Sequence, residues 1–144
     1  MANPAPIDDL AAVIPAYNAA RHLAAVIDRV AGHVRREWIV VIDDGSTDET
    51  RAVAVKAGAT VVSHPHNLGK GAAIRTGLAK AQELGPAFAI LLDADGQHNP
   101  DEIPAFVERQ RATGADMVVG NRLARSANMP RLRKATNHVT SAVV

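Results

Sequence analysis

The sequence predicts an α/β domain with a mostly parallel central sheet. Three observations carry this. Short apolar runs alternate with longer segments of helical period along most of the 144 residues. The runs 38–42 and 88–92 are continuously apolar, as strands buried on both faces are. Polar residues gather directly after the strand candidates, where sheets of this kind bind ligands.

The elements follow in order. Ala11-Ala12-Val13-Ile14 is a short strand that Pro15 should stop. From Ala20 to His33, Leu23, Ile27, Val30 and Val34 recur at helical spacing. Residues 38–42 (Trp-Ile-Val-Val-Ile) form the second strand. Ser46 and Thr47 are placed to cap a helix reaching about Ala57, with Asp48 and Glu49 in its first turn and Gly58 closing it. Thr60–Ser63 is the third strand. A helix runs from about Lys70 to Leu84, with Ile74, Gly77 or Leu78, Ala81 and Leu84 on one face, and Gly85-Pro86 ends it. Residues 88–92 form a fourth buried strand. Asn99 then caps, Pro100 takes the first helical position, Glu102 completes a capping-box-like start, and that helix ends near Gly114. Met117-Val118-Val119 is a fifth strand. The pattern is βαβαβαβαβ.

Composition excludes several classes. Hydrophobic residues are 47% and charged residues 22%, so the chain is not disordered, collagen-like or a coiled coil throughout. Without cysteine there is no disulfide, thiolate nucleophile or cysteine zinc site, which fits a cytosolic setting. Aromatics at 3% are too few for a base-stacking platform, so no nucleic-acid partner is expected. Residues 1–10 form an N-terminal tail with no signal-peptide pattern, and no apolar run is long enough to span a bilayer.

The net charge of +1 hides an asymmetry. Residues 122–144 carry Arg122, Arg125, Arg131, Arg133 and Lys134 and no acid, so the remaining 11 basic residues face all 15 acids. A basic segment of this kind suits a phosphate or an anionic membrane surface, or is a solvated basic helix.

Four loops look functional: 15–18, 43–48, 93–98 and 120–122. In Asp93-Ala94-Asp95 two carboxylates leave a buried strand, and in extended chain both point the same way. Gly96 then allows a turn that brings Gln97 back towards them. Hard oxygen ligands with open positions suit Mg²⁺ or Mn²⁺ shared with substrate phosphates. Asp43-Asp44-Gly45-Ser46 reads either as a ribose- or base-binding strand end or as an ordinary capped turn. Asn67-Leu68-Gly69-Lys70-Gly71 is phosphate-loop-like in composition but lacks the spacing of a P-loop, and no GxGxxG follows the first strand. Lys70 can face the acidic cluster or an anionic ligand. The six histidines show no zinc spacing and read as surface or packing residues, except His98 in the acidic loop. No Gly-x-Ser-x-Gly elbow is present.

Together, Val13-Ile14-Pro15-Ala16-Tyr17-Asn18, residues 41–48 (Val-Ile-Asp-Asp-Gly-Ser-Thr-Asp), Asn67-Leu68-Gly69-Lys70-Gly71, residues 92–98 (Leu-Asp-Ala-Asp-Gly-Gln-His) and Val119-Gly120-Asn121-Arg122 resemble the family 2 glycosyltransferases. The acidic loop and Met129-Pro130-Arg131-Leu132-Arg133-Lys134 are most similar to the dolichyl- or polyprenyl-phosphate mannosyl- and glucosyltransferases. The resemblance runs from about residue 11 to 144. It implies a GT-A fold, a Rossmann-like nucleotide-sugar-binding domain over 11–121, with 122–144 beginning the acceptor side. It implies that Pro15, Ala16, Tyr17, Asn18, Asp43, Asp44, Ser46, Lys70, Asp93 and Ala94 bind the nucleotide-sugar. It implies that Asp95 and Gln97 hold Mg²⁺ or Mn²⁺, that Asp93, Asp95 and Arg122 are catalytic, and that Arg122 and Arg131 meet the acceptor phosphate.

The implied reaction moves a sugar, with inversion, from a GDP-mannose- or UDP-glucose-type donor to a polyprenyl or dolichyl phosphate at the cytoplasmic face of a membrane. The alternatives are a nucleotide-sugar-binding module without turnover and a family 2 enzyme with a soluble acceptor. Gly120-Asn121-Arg122 stands where the family usually has Gly-Ser-Arg, and no later Ser-Gly-Phe-Arg-like motif follows. The resemblance therefore implies a chain that stops short of the acceptor half, inside a helix starting near Arg131.

Overall fold

A computed structural model describes residues 5–120. The chain divides into two compact units, residues 1–105 and 106–144. The first holds the whole sheet. Its elements are β1 (Leu10–Ala16), α1 (Ala20–Val30), a 3-10 turn (Arg36–Trp38), β2 (Ile39–Asp43), α2 (Thr50–Lys56), β3 (Thr60–Ser63), α3 (Lys70–Leu84), β4 (Phe88–Leu91) and a second 3-10 turn (Pro100–Glu102). The helix α4 (Ile103–Thr113) begins there and continues into the second unit. Within that second unit the Thr113 hydroxyl donates to the Arg109 carbonyl, and Gly120 lies against the ring of Phe106.

All the strands pair in parallel, in the order β3-β2-β1-β4. The order reverses at β1: the chain steps outward through β2 to β3, then returns to the far side of β1 as β4. Between β1 and β4 their carboxyl-end loops part, and this is where such a sheet opens a crevice for ligands.

Two sets of side chains on β1 and β2 bury both faces. Ala11, Val13, Val40 and Ile42 pack with Ala73 and Ala81 of α3, with Trp38, Val62 and Leu84 at the margin. The alternate set, Ala12, Ile14, Ile39 and Val41, points to the opposite face and is equally inaccessible. On α1, Leu23, Val26, Ile27 and Val30 are the buried stripe. Gly77 sets how closely α3 approaches the sheet: a Cβ there would lie 2.3 Å from Val13 Cγ1 and 3.1 Å from Ile42 Cγ1. Leu78, its neighbour, points outward.

Several expectations need correction. The first strand does not stop at Pro15 but runs through it to Ala16. Proline is tolerated because Pro15 N faces the β4 side of β1, and the ladder with β4 ends at Val13↔Leu91. The alternation of the ladder shows this: Leu92 N–H donates to Val13 O on that side, whereas Asp44 N–H donates to Ala16 O on the other. β2 starts at Ile39, and Trp38 ends the 3-10 turn with the Arg35 guanidinium 4.8 Å from its ring centre. β4 is not buried on both faces. Phe88 and Ile90 are half-buried while Ala89 and Leu91 are exposed; the exposed pair shares the face of Ala11 and Val13, where α3 packs over β1 and β2 and barely reaches β4. Met117–Val119 forms no strand; Met117 and Val119 are exposed, with no partner ladder to close their backbone hydrogen bonds among the described residues. Ser46 and Thr47 do not cap α2. The helix begins at Thr50, and the Asp48 carboxylate accepts the Thr50 N–H.

α3 has the expected limits, with Gly85 in the left-handed region closing it. Asn99 accepts the Asp101 N–H, with Pro100 first in the turn that leads into α4. Among the described residues no helix is long and apolar enough to cross a membrane.

Overpacking costs about 1–3 kcal/mol and better helix propensity returns about 1 kcal/mol. Urea unfolding of Gly77→Ala is therefore expected at a lower midpoint than wild type. A midpoint at or above wild type would mean that Val13 yields freely.

Candidate functional site

The loops after β1 and β2 are stitched together. Asn18 takes positive φ (49°), its N–H donates to Ser46 Oγ at 3.0 Å, and its Oδ1 accepts the Thr47 N–H at 2.9 Å. Thr50 Oγ1 accepts the Ala19 N–H at 2.8 Å, and Asp48 Oδ2 accepts the Ala20 N–H at 3.2 Å. The start of α1 thus has its free N–H groups met by the neighbouring loop rather than by a cap of its own. The Asp48 pKa is lowered, chiefly by its hydrogen bond from the Thr50 hydroxyl, against a smaller opposing effect of burial. Asp43 is buried and accepts the Ser46 N–H at 3.0 Å and the Ser63 hydroxyl at 3.4 Å.

Asp44 ties in the loop after β3. Its Oδ1 accepts His64 Nδ1–H at 2.7 Å and Leu68 N–H at 2.9 Å, and its Oδ2 accepts Gly69 N–H at 2.9 Å. A carboxylate can only accept, so His64 carries its proton on Nδ1; Nε2 meets the Thr76 hydroxyl at 2.9 Å. Burial alone would raise the Asp44 pKa, but the His64 hydrogen bond, the two amides and the His64 charge outweigh it and hold the pKa below its ordinary value. Gly45 is the close approach beside it. A Cβ there would lie 2.3 Å from His66 C and 2.6 Å from Asn67 N, and its φ is +72°.

The loop after β4 differs from the expectation. Asp93 and Asp95 do not project side by side from an extended chain, because the strand ends at Leu91 and residues 94–95 turn. The β1–β4 register ends at Val13↔Leu91, and Pro15 has no N–H to offer the next rung. Asp93 N–H turns to His98 Nδ1 at 2.8 Å, and Lys70 Nζ lies 2.6 Å from Asp93 Oδ1. Asp95 Oδ1 accepts the Gln97 N–H at 2.9 Å across Gly96, whose φ is +77°. Asp95 and Gln97 are exposed, and Ala94 is buried beneath them. Asn99 is fixed from α1, its Oδ1 taking Arg29 Nη2 at 2.5 Å.

The structure thus joins Asn18 to Ser46, Lys70 to Asp93 and Asp95 to Gln97, around the carboxyl ends of β1, β2 and β4. Tyr17 stands half-exposed at the crevice loop. Arg122 and Arg131 lie outside the described residues. His64, Thr76, Thr50 and Arg29 also belong to this network, and the sequence does not mark them for it. Their signal is long-range pairing, and nothing near them in sequence reveals it.

Asp95 and Gln97 offer one carboxylate and one amide oxygen on an open turn. That hard-oxygen set fits Mg²⁺ or Mn²⁺, which keep water or phosphate ligands. Among the described residues no three acidic, histidine or cysteine side chains cluster into a cage.

The model of the family described as "Glycosyl transferase family 2" matches residues 11–143. The chain belongs to that family. Its parallel α/β sheet is of the GT-A type, as in the family's solved structures. It is similar to a UDP-N-acetylglucosamine–dolichyl-phosphate N-acetylglucosaminyltransferase of Methanococcus voltae, 32% identical over 87% of this chain and 57% of that protein. It is also similar to a polyprenol monophosphomannose synthase of Mycolicibacterium smegmatis, 32% identical over 76% of this chain and 43% of that protein. Glucosyl-3-phosphoglycerate synthase of Mycobacterium tuberculosis, crystallised with Mn²⁺, UDP-glucose and phosphoglyceric acid, matches with a TM-score of 0.60 and 30% identity, over 73% of this chain and 40% of that one. The chain spans about half the length of these curated relatives.

Asp44→Asn sets an amide N–H against a backbone N–H. An unsatisfied buried group costs about 1–3 kcal/mol, so urea unfolding at pH 7 is expected to show a loss of that order. The folded pKa of Asp44 lies below its unfolded value near 3.8, so its contribution is full above that value and is lost as pH falls through the folded pKa. Acid unfolding of the variant is therefore shallower than wild type below that pH. Equal stability at pH 7 with an unchanged acid slope would contradict the arrangement.

Proposed function

We propose that the chain provides the donor-binding half of an inverting, metal-dependent glycosyltransferase that moves a sugar from a nucleotide-sugar to a polyprenyl phosphate. The observation that supports this best is the meeting of Lys70, Asp93 and the Asp95–Gln97 turn at the crevice between β1 and β4. The relatives named for dolichyl-phosphate and polyprenol products support the acceptor class.

In this reading the 15–18 loop and Asp43 border the nucleoside, and Asp93 borders the ribose or sugar. Lys70, with an exposed side chain, offers its ammonium to the donor diphosphate, exchanging part of its contact with Asp93. Asp95 and Gln97 would hold the divalent ion. When bound, that ion neutralises charge developing on the leaving diphosphate. A phosphate oxygen of the acceptor attacks the anomeric carbon on the face opposite the leaving group, and the departing nucleoside diphosphate takes the bonding pair. A phosphate monoester has its second pKa at about 6, so it is already an anion at pH 7 and needs no general base. Arg122 and Arg131 are assigned to that phosphate. The lipid acceptor would bring the protein to the cytoplasmic face of a membrane, where the basic residues of 122–144 suit anionic headgroups at about 1 kcal/mol each.

A second reading is a soluble phosphorylated acceptor, supported by the structural likeness to a synthase crystallised with phosphoglyceric acid. The two separate in one assay. Transfer is measured from GDP-mannose and UDP-glucose to a short polyprenyl phosphate or to 3-phosphoglycerate, with Mg²⁺ or Mn²⁺. Product only with the lipid supports the first reading, and product only with the soluble acid supports the second. Tight donor binding without product on either acceptor identifies a binding module.

Asp95→Asn is expected to weaken the metal-dependent part of UDP or GDP binding by tenfold or more, since a charge-assisted contact is worth about 1.5–3 kcal/mol. Calorimetry with and without Mn²⁺ checks this. An unchanged metal effect would remove Asp95 from the metal site.

A further inference from the structure

We propose that Arg29 of α1 is a positioning residue for the divalent ion: by holding Asn99 it fixes the end of the acidic loop, and with it the relative placement of Asp95 and Gln97. This rests on the reading above of Asp95 and Gln97 as the residues that hold the ion.

The loop is closed at its start by its own residues and at its end by α1. At the start, Asp93 N–H donates to His98 Nδ1 at 2.8 Å, so the chain folds back on itself. Inside that ring Gln97 N–H donates to Asp95 Oδ1 at 2.9 Å, across Gly96 in the left-handed region. Asp95, Gly96 and Gln97 are all exposed, so burial does not hold the turn in place. Support comes from α1. Val26 is buried, and its Cγ2 would lie 3.9 Å from a Cβ at Gly96, an ordinary contact distance. One turn along the helix, Arg29 Nη2 donates to Asn99 Oδ1 at 2.5 Å and to Asp101 Oδ2 at 3.2 Å. His33, just beyond the helix, places Nε2 3.5 Å from Asp101 Oδ1. Asn99 follows Gln97 with only His98 between them, and its Oδ1 also accepts the Asp101 N–H at 3.3 Å. The side chain that Arg29 grips is therefore the one that starts the turn towards α4.

Little stability is at stake in the tie itself. The Arg29 side chain is 48% exposed and that of Asp101 69%, and charge pairs so open to water contribute little to folding. Pro100 and Ile103 are buried and already anchor the chain that follows. What Arg29 adds is direction. A charge-assisted hydrogen bond fixes which way Asn99 faces, and so where Gln97 leaves the turn. Outer partners of this kind orient metal ligands without touching the ion.

The test separates the metal from the nucleotide. Wild type, Arg29→Met, Asn99→Ser and the double variant are titrated by calorimetry with UDP and GDP, once with Mn²⁺ and once in EDTA. Methionine keeps an apolar stem and removes the donor, and serine keeps an oxygen for the Asp101 N–H but withdraws it from Arg29. The gain in affinity that Mn²⁺ confers is expected to fall about fivefold in Arg29→Met, somewhat less than the tenfold or more seen for partners bonded directly to a metal ligand. Affinity in EDTA is unchanged. In the Asn99→Ser background Arg29→Met adds less than about twofold, because both changes break the same tie. Equal losses with and without Mn²⁺ would overturn the proposal, since Arg29 would then serve the fold or the nucleotide as a whole. An unchanged Mn²⁺ gain or full additivity would overturn it as well.

Backbone amide relaxation by NMR on the metal-free protein stands beside the titrations. Arg29→Met is expected to lower the order parameters of Gly96 and Gln97 and to leave those of Asn18 and Ser46, in the loops after β1 and β2, as in wild type. Unchanged order at Gly96 and Gln97 would overturn the clamp. If Arg29→Met does not fold, Asn99→Ser alone carries both readouts, and no change in either would overturn the proposal. If Mn²⁺ does not strengthen nucleotide binding to wild type, the metal reading fails, and the order parameters decide the clamp by themselves.

Discussion

An ionised carboxylate buried at the carboxyl end of β2 demands donors, and the path of the neighbouring chain follows from that demand. Leaving such a charge without partners inside a protein costs far more than any loop rearrangement. At Asp44 the donors are two consecutive backbone amides and one imidazole N–H, all from the segment after β3. The segment must come to the carboxylate, and its backbone then runs so close to Gly45 that no side chain fits between. The same backbone enters α3 and sets out Lys70. Electrostatic satisfaction at one carboxylate thus bears on where the exposed ammonium of Lys70, paired with Asp93, begins.

The loops after β1 and β2 obey a related logic with weaker members. Asn18, Ser46, Thr47, Asp48 and Thr50 exchange hydrogen bonds that cross between the two loops. Each is worth only about 1 kcal/mol net, so their total matters less for stability than for shape. What they achieve is that two strand ends present polar groups in fixed positions, which lowers the ordering cost of any binding step there.

The interior was legible in the residues themselves. The continuous apolar run at 38–42 predicts a doubly covered strand, and β2 is one from Ile39 onward, with Trp38 left in the preceding turn. Gly69 and Gly85 punctuate α3 at both ends, and the helix keeps those limits. Local rules failed where a distant partner competes. Ser46 has the chemistry of a cap, but its hydroxyl is taken by Asn18, 28 residues earlier, and Asp48 does the capping. The run at 88–92 is as apolar as β2, yet apolarity does not say which helices will cover a strand, and α3 lies over β1 and β2 and barely reaches β4. Composition marks the acidic loop as a candidate site but does not give its geometry, because the turn at 94–95 depends on where the sheet stops pairing. His64 reads from sequence as a surface or packing residue; it is partly buried, and its pairing with Asp44 spans 20 residues and leaves no local pattern.

That stopping point traces to Pro15. Had the residue carried an N–H, it would face Leu92 O and the ladder between β1 and β4 could zip one step further. Asp93 would then be drawn into the sheet as an ordinary strand residue, and its own N–H would point away from the loop it now organises. A ring closed onto one nitrogen keeps the two strands apart from that level outward. Proline here works as a spacer in the sheet: it sets how deep the cleft reaches, and any residue that restored the missing proton would allow the floor of the cleft to rise.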